Sequence, residues 1–294
     1  MLRDLGHRVR IGQEYRRGAC DALIAVHAFR SAPAIECYRE RHPDGPLIVL
    51  LAGTDVYQPG GLRPETQRSL ELADAVIALQ PRALDLLPDN VRAKTRVIYQ
   101  SVEPSTSRAR RPRATGATFD VCVLGNLRPV KDPFLTATAA RMLPDASRIR
   151  VVHVGAALDA DMEDRALREQ RENDRYTWER GQTPARARSI LAVSDLLAHT
   201  SLSEGGANSI MEAIASDVPV VSTRIDGSVG ILGDDYPGYC PVGDAPALAD
   251  VLRRAEVEPA FHQELRQHCR ALLPLTDPQR ERESWQAILK DVCK

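Results

Sequence analysis

The chain has 294 residues, which at roughly 100–200 residues per domain leads to an expectation of two domains. Its 39 Lys and Arg nearly balance 40 Asp and Glu, a net charge of −1, so no electrostatic footprint for nucleic acid or an anionic membrane stands out. No apolar run approaches the ~20 residues of a membrane span, the charge-dotted opening MLRDLGHRVRI is no signal peptide, and the six cysteines have neither C-x-x-C spacing nor a His cluster, which argues against structural zinc and a disulfide framework and for the cytoplasm.

The opening MLRDLGH reads as the last turn of a helix terminated by Gly6. The strand and loop that should precede such a helix are absent. In a doubly wound sheet the first strand is central, so its loss is expected to leave two neighbouring strands with unpaired ladder groups, unless the start is truncated or the domain closes by other means. ALIAVH (22–27), LIVLLAG (47–53), AVIALQ (75–80) and RVIYQS (96–101) predict strands. Between them APAIECYRERH and PETQRSLELA predict helices, the first with Pro33 at a favoured early position. Apolar strands with intervening helices mean a parallel sheet covered on both faces.

VEPSTSRARRPRATGAT (102–118) is rich in Arg, Pro, Ser and Thr and reads as a linker. A second series follows, with strands at 119–125, 149–155, 195–201 and 218–224. Helices are expected over 133–142, 159–173, 184–193 and 207–215, then near 246–272 and 278–292, and WERGQTP (178–184) reads as a loop. The expected fold class is α/β, with two Rossmann-like parallel-sheet domains facing a cleft and the N-terminal one lacking its first strand. The domains are 1–102, a linker 103–118, 119–276, and a C-terminal helix at 277–294 able to cross back to the first domain. Ligands of such sheets sit beyond the carboxyl ends of the strands.

SEGGANSIMEAIASDVPVV (203–221) lies at such an end. Glu204 follows the strand, Gly205 and Gly206 let the backbone approach a ligand, and a helix begins near Ala207–Asn208. The N–H groups of its first turn, around Ser209, and its dipole suit a diphosphate. Glu212, about one turn in, is placed to accept hydrogen bonds from a ribose diol, and Glu204 from sugar hydroxyls. A Gly-rich turn with solvated acids is the plainer alternative. In VLGNLRPVKDP (123–133) a strand ends at Gly125, and Arg128 and Lys131 follow as cations able to clamp a diphosphate leaving group. The alternative there is a pair of surface cations.

Together these residues resemble glycosyltransferase family 4, the two-domain Rossmann-like architecture, whose E-x7-E element is matched by Glu204 and Glu212 and whose Gly…Arg…Lys loop is matched by Gly125, Arg128 and Lys131. The resemblance implies a nucleotide-sugar donor on the C-terminal domain. It puts Arg128 and Lys131 on the diphosphate, Glu212 on the ribose, Glu204 on the transferred sugar, and the uracil near Gly155 and WERGQTP. It also implies no bound metal and no cofactor. The phrases RSAPAIECYRERHPDGPLIVLLAGTDVY, RSLELADAVIALQP, KTRVIYQS and DDYPGYCPVGD are similar to the selenosugar synthases of selenoneine biosynthesis. That likeness implies transfer from a UDP-sugar, usually UDP-N-acetylglucosamine, to selenophosphate, giving a 1-seleno sugar. One departure is that the family's N-terminal Gly-rich loop would lie before Met1.

The first domain offers two strand-end loops for a small anionic acceptor. In VHAFRSAP (26–33) His27 ends a strand and Arg30 precedes a helix start at Ser31–Pro33, a cation beside unpaired N–H groups. In AGTDVY (52–57) stand Gly53, Thr54 and Asp55. Local capping by Arg30, a satisfied core histidine at 27 and a turn cap at Asp55 are the structural alternatives. Two other functions stay open: a hexosyltransferase acting on a hydroxyl acceptor, and a UDP-sugar-binding protein without transfer activity.

Overall fold

The computed structural model describes residues 1–15, 20–58, 60–103 and 117–293. Most of the expected linker, including its basic tract, lies outside the described residues. The chain forms two compact units: Met1–Ser101 with Ser203–Gly206 and Asp277–Lys294, and Val102–Leu202 with Ala207–Thr276.

The first unit opens with a turn closed as expected at Gly6, which takes a φ of 89°; its N–H reaches the Arg3 carbonyl and the His7 N–H that of Leu2. Then follow β1 (Leu23–Val26), α1 (Ala32–Arg41), β2 (Leu47–Leu50), α2 (Pro64–Leu72), β3 (Ala75–Ala78), a 3₁₀ segment at Pro81–Leu86, α3 (Asp89–Arg92) and β4 (Thr95–Val97). The strands are parallel in the order β1-β2-β3-β4. No gap opens between neighbours, in contrast to the expectation of two unpaired strands, because β1 is an edge and the other strands follow on one side of it.

That order has a consequence for the core. Right-handed crossovers that always advance in one direction put every connecting helix on the same face. Strand side chains alternate between faces. Ala25, Leu47, Val49, Val76 and Ala78 accordingly pack with Ile35, Tyr38 and Leu70 of α1 and α2. Ile48, Ala75 and Ile77 point the other way. They are covered by Trp285 and Ile288 of the C-terminal helix, Pro278–Val292, with Leu2 and Leu5 of the opening turn at the margin. Glu281 anchors this helix, accepting from the Ser101 N–H at 2.7 Å and hydroxyl at 2.6 Å.

The second unit runs β5 (Phe119–Leu124), a 3₁₀ turn at Pro129–Lys131, α4 (Leu135–Arg141), β6 (Ile149–Gly155), α5 (Ala160–Glu172), β7 (Tyr176–Arg180), α6 (Pro184–Val193), β8 (Leu196–His199), α7 (Asn208–Ala215), β9 (Val220–Thr223), α8 (Asp226–Leu232), β10 (Tyr239–Cys240), α9 (Ala245–Val257) and α10 (Pro259–Ala271). The C-terminal helix is then α11. All six strands are parallel, in the order β10-β9-β8-β5-β6-β7. The order reverses between β5 and β8, so the loops leaving these two strands flank the switch point where open α/β sheets bind ligands.

Two expectations are corrected. The start of WERGQTP is strand, since β7 pairs with β6 from Val151–Tyr176 to Gly155–Arg180. Only Tyr176 and Trp178 of β7 are buried, and the charged Glu179 and Arg180 mask its apolar pattern. The stretch 246–272 is two helices, broken at Glu258–Pro259, where proline lacks the N–H to continue a helix and its ring clashes with the preceding turn.

Candidate functional site

At the switch point a small depression is lined by Gly125, Lys131, His153, His199 and Thr200 among others. Gly125 follows β5 and Gly155 ends β6. A Cβ on Gly155 would sit 1.9 Å from the Gly125 carbonyl oxygen, so the two strand ends meet backbone to backbone and only glycine fits. Asn126 closes the join by accepting from the Ala156 N–H at 3.0 Å. Trp178 Nε1–H donates to the Gly155 carbonyl at 2.9 Å.

His153, two residues before Gly155, locks the same corner. Its Nε2 lies 3.1 Å from the Gly125 carbonyl and its Nδ1 3.0 Å from the Tyr176 hydroxyl. A carbonyl only accepts, so Nε2 carries the proton and Tyr176 donates to Nδ1. Burial lowers the imidazole pKa to about 4, with the Gly125 bond opposing, so the ring is neutral at ordinary pH.

Arg128 and Lys131 bracket the 3₁₀ turn and both are half-buried. Hydrogen bonds join that turn to the loop after β8: the Leu202 N–H donates to the Val130 carbonyl at 2.8 Å, and Thr200 Oγ1 reaches the carbonyls of Lys131 and Asp132 at 3.2 and 3.0 Å. At the end of β8, His199 Nδ1 is 3.1 Å from the Ser209 hydroxyl in the first turn of α7. Ala207 caps α7 without a side-chain hydrogen bond, and Asn208 is exposed. Glu212, further along, is half-buried; burial raises its pKa and the Arg188 cation partly offsets this. His153, Tyr176, His199 and Thr200 are site residues that spacing alone did not single out. For His153 and His199 the signal was a histidine inside each of the apolar runs IRVVHVG and DLLAH.

The first unit brings together the remaining expected residues. His27 directly follows β1 with a φ of 73°, rare for a residue with a side chain. Its Nδ1 accepts from the Arg30 N–H at 3.3 Å, which leaves Nε2–H to donate to Thr54 Oγ1 at 3.0 Å. Burial lowers the His27 pKa, against the pull of Asp55 and together with the push of Arg30. Asp55 is fully buried. Its oxygens accept from the N–H groups of Ala28, Ala52 and Gly53 at 2.8–3.2 Å, so the carboxylate joins the loops after β1 and β2 and is spent on the backbone. The Ser31 hydroxyl is likewise spent on the Val26 carbonyl, at 2.7 Å. Arg30 is exposed.

The glycines of the acidic loop are tightly packed within the first unit. A Cβ on Gly53 would lie 2.2 Å from the Gly205 nitrogen, and one on Gly206 would lie 2.6 Å from Leu79 Cβ. These glycines let the segment with Glu204 lie close to the backbone of Gly53 and to the side chain of Leu79. Among the described residues no group of three or more His, Cys, Asp or Glu is placed to hold a metal ion, and no helix is long and apolar enough to cross a membrane.

Residues 108–271, more than half of the chain, match the family described as glycosyl transferases group 1. No curated protein matches. Among solved structures, an α,α-trehalose-phosphate synthase (UDP-forming) from Burkholderia vietnamiensis superposes with a TM-score of 0.75 at 20% identity, covering 93% of this chain and 72% of that one. Anabaena HepE, solved with UDP and glucose, gives 0.70 at 18% identity over 91% of this chain and 78% of its own. The pneumococcal O-GlcNAc transferase GtfA, solved with UDP and GlcNAc, gives 0.68 at 17% identity over 87% and 54%. At these identities the likeness is one of fold: α/β, with two Rossmann-like parallel sheets.

Proposed function

This chain belongs to the glycosyl transferases of group 1, and from that premise we propose that it transfers a sugar from a UDP-sugar, UDP-N-acetylglucosamine, to selenophosphate, forming a 1-seleno sugar for selenoneine biosynthesis. The observation that carries the donor half is the corner at the switch point. There Gly125, Gly155 and neutral His153 hold two strand ends in one backbone arrangement, with Lys131 on the bordering turn. Three structural neighbours are described as UDP-forming or were solved with UDP, which supports uridine diphosphate as the leaving group. The acceptor half rests on the sequence phrases shared with selenosugar synthases and on exposed Arg30 at the start of α1. The cytoplasm suits the six cysteines, all free.

In this reading Arg128, Lys131 and Glu212 of the second unit bind the nucleotide of the donor, and the first unit binds the acceptor. Arg128 and Lys131 stabilise the charge that develops on the diphosphate, and the N–H groups of Ala207, Asn208 and Ser209 add to it. Glu212 accepts from the ribose diol and Glu204 from the sugar. Selenium bonds to the anomeric carbon as the bond from that carbon to the diphosphate oxygen breaks, the electron pair leaving with UDP. Water then attacks phosphorus, the P–Se bond breaks with its electrons on selenium, and phosphate departs. Selenophosphate is already anionic at selenium, so His27 and Arg30 orient it, and no strong base is required.

A hydroxyl acceptor is the second reading, and the likeness to a pneumococcal O-GlcNAc transferase solved with UDP and GlcNAc favours it. Mass spectrometry of the chain with UDP-N-acetylglucosamine and selenophosphate, with hydroxyl-acceptor and phosphate-only controls, decides between them. A selenium isotope pattern on a hexosamine with matching UDP release is the expected result. Product only with hydroxyl acceptors overturns the selenium reading, and UDP binding with no product from any acceptor overturns transfer.

A further inference from the structure

We propose that Thr200 is a positioning residue for Lys131, holding the turn that carries this cation rigid against the central strands. This rests on the reading of Lys131 as a diphosphate-binding group. The turn Pro129–Lys131 is three residues long. Asp132 leaves it with a left-handed φ of 41°, and Pro133 brings no N–H. Three successive carbonyls, those of Val130, Lys131 and Asp132, therefore have no continuing ladder. The loop after β8 supplies their donors. Leu202 N–H takes the Val130 oxygen, and the Thr200 hydroxyl lies between the Lys131 and Asp132 oxygens, the latter also accepting from the Leu135 N–H at 3.2 Å.

Thr200 is itself held. It directly follows β8, it is 3% exposed, and the next carbonyl, that of Ser201, accepts from Thr223 Oγ1 of β9 at 2.7 Å. The backbone of Lys131 is thus tied to β8 and β9 as well as to its own strand β5. Lysine reaches its target on four rotatable carbons, so a fixed Cα is the part of its placement that the protein controls. A cation that stabilises developing charge works best when its position is set before the charge appears. Other residues of the loop contribute backbone groups, whereas at 200 a side-chain hydroxyl is required, so the identity of this residue matters.

The test is calorimetric titration with UDP of the wild-type chain, Lys131→Ala, Thr200→Val, Thr200→Ser and the Lys131→Ala/Thr200→Val double variant, with melting temperatures alongside. Valine keeps the shape and removes the hydroxyl proton; serine keeps the proton. The expected results are weakening of about tenfold or more for Lys131→Ala, about tenfold for Thr200→Val, near-complete recovery in Thr200→Ser, and no further loss in the double variant. A purely structural role predicts losses that multiply in the double variant, and that outcome overturns the inference, as does wild-type affinity in Thr200→Val. In both cases weakening by Lys131→Ala leaves the reading of the lysine intact. Wild-type affinity in Lys131→Ala overturns that reading and Thr200's role with it. Should Thr200→Val fail to fold, Thr200→Ala, which removes the hydroxyl and adds no bulk, takes its place, and full affinity there overturns the inference.

Discussion

Glu212 and His153 show burial acting on an acid and a base with opposite signs. Burial raises the Glu212 pKa, so its carboxylate takes up a proton at a higher pH than an ordinary glutamate. Only the ionised form accepts both O–H groups of a ribose diol. UDP affinity is therefore expected to fall as pH drops through the raised value, and calorimetry from pH 8 to 5 should show a flat profile in Glu212→Gln. For His153 the fold keeps the imidazole neutral down to about 4, whereas in the unfolded chain it protonates near 6.5. The stability this contributes is complete above pH 6.5 and is lost as pH falls toward 4, an effect of about 3 kcal/mol at most. Denaturation followed through Trp178 fluorescence in a Trp285→Phe background should show this slope, and His153→Gln should remove it. The two glutamates, eight residues apart beside a glycine turn, stand out in the sequence by their spacing alone. His153 was not, because its role arises only when β6 lies against β5 and brings Gly125 within reach of the ring.

The elements were legible where their pattern was long and clean. Strands β2, β3 and β5 are apolar almost throughout, and α6 was read at its observed limits of 184–193. Strand β7 escaped because an edge strand carries charge, and the break between α9 and α10 was marked only by Pro259. Where two elements meet without side chains, the requirement for glycine is strict. Gly155→Ala places a methyl carbon 1.9 Å from the Gly125 oxygen. This is expected to force β5 and β6 apart at their ends and to weaken UDP binding more than tenfold. Wild-type affinity in calorimetry would show that the corner yields without consequence. On α11, Trp285 is 7% exposed and fills the layer over Ile48, Ala75 and Ile77. Trp285→Ala should cost about 3–5 kcal/mol in chemical denaturation of the first unit, the range for a large aromatic lost from a core.

At the scale of the whole molecule, the first unit is assembled from three separated parts of the chain. The order β1-β2-β3-β4 leaves one sheet face without any connecting helix, and residues 277–294 supply the cover. A chain ending at Thr276 is expected to expose Ile48, Ala75, Ile77 and Ile98 and to bind a hydrophobic dye strongly; dye binding at the full-length level would mean that the face is protected without the helix. The sequence by itself determined the class of fold and the membership of the glycosyl transferases of group 1. Continuous apolar runs, helical stretches, glycines at strand ends and cations after them are local properties, and each is written in a few adjacent residues. Only the tertiary structure decided that Asp55 and Ser31 serve the backbone, that Gly205 packs on Gly53, and that Thr200 braces the turn of Lys131. Those facts depend on which distant carbonyl or N–H lies within 3 Å of a side chain, and that distance is set by strand order and register, to which no single segment holds the key.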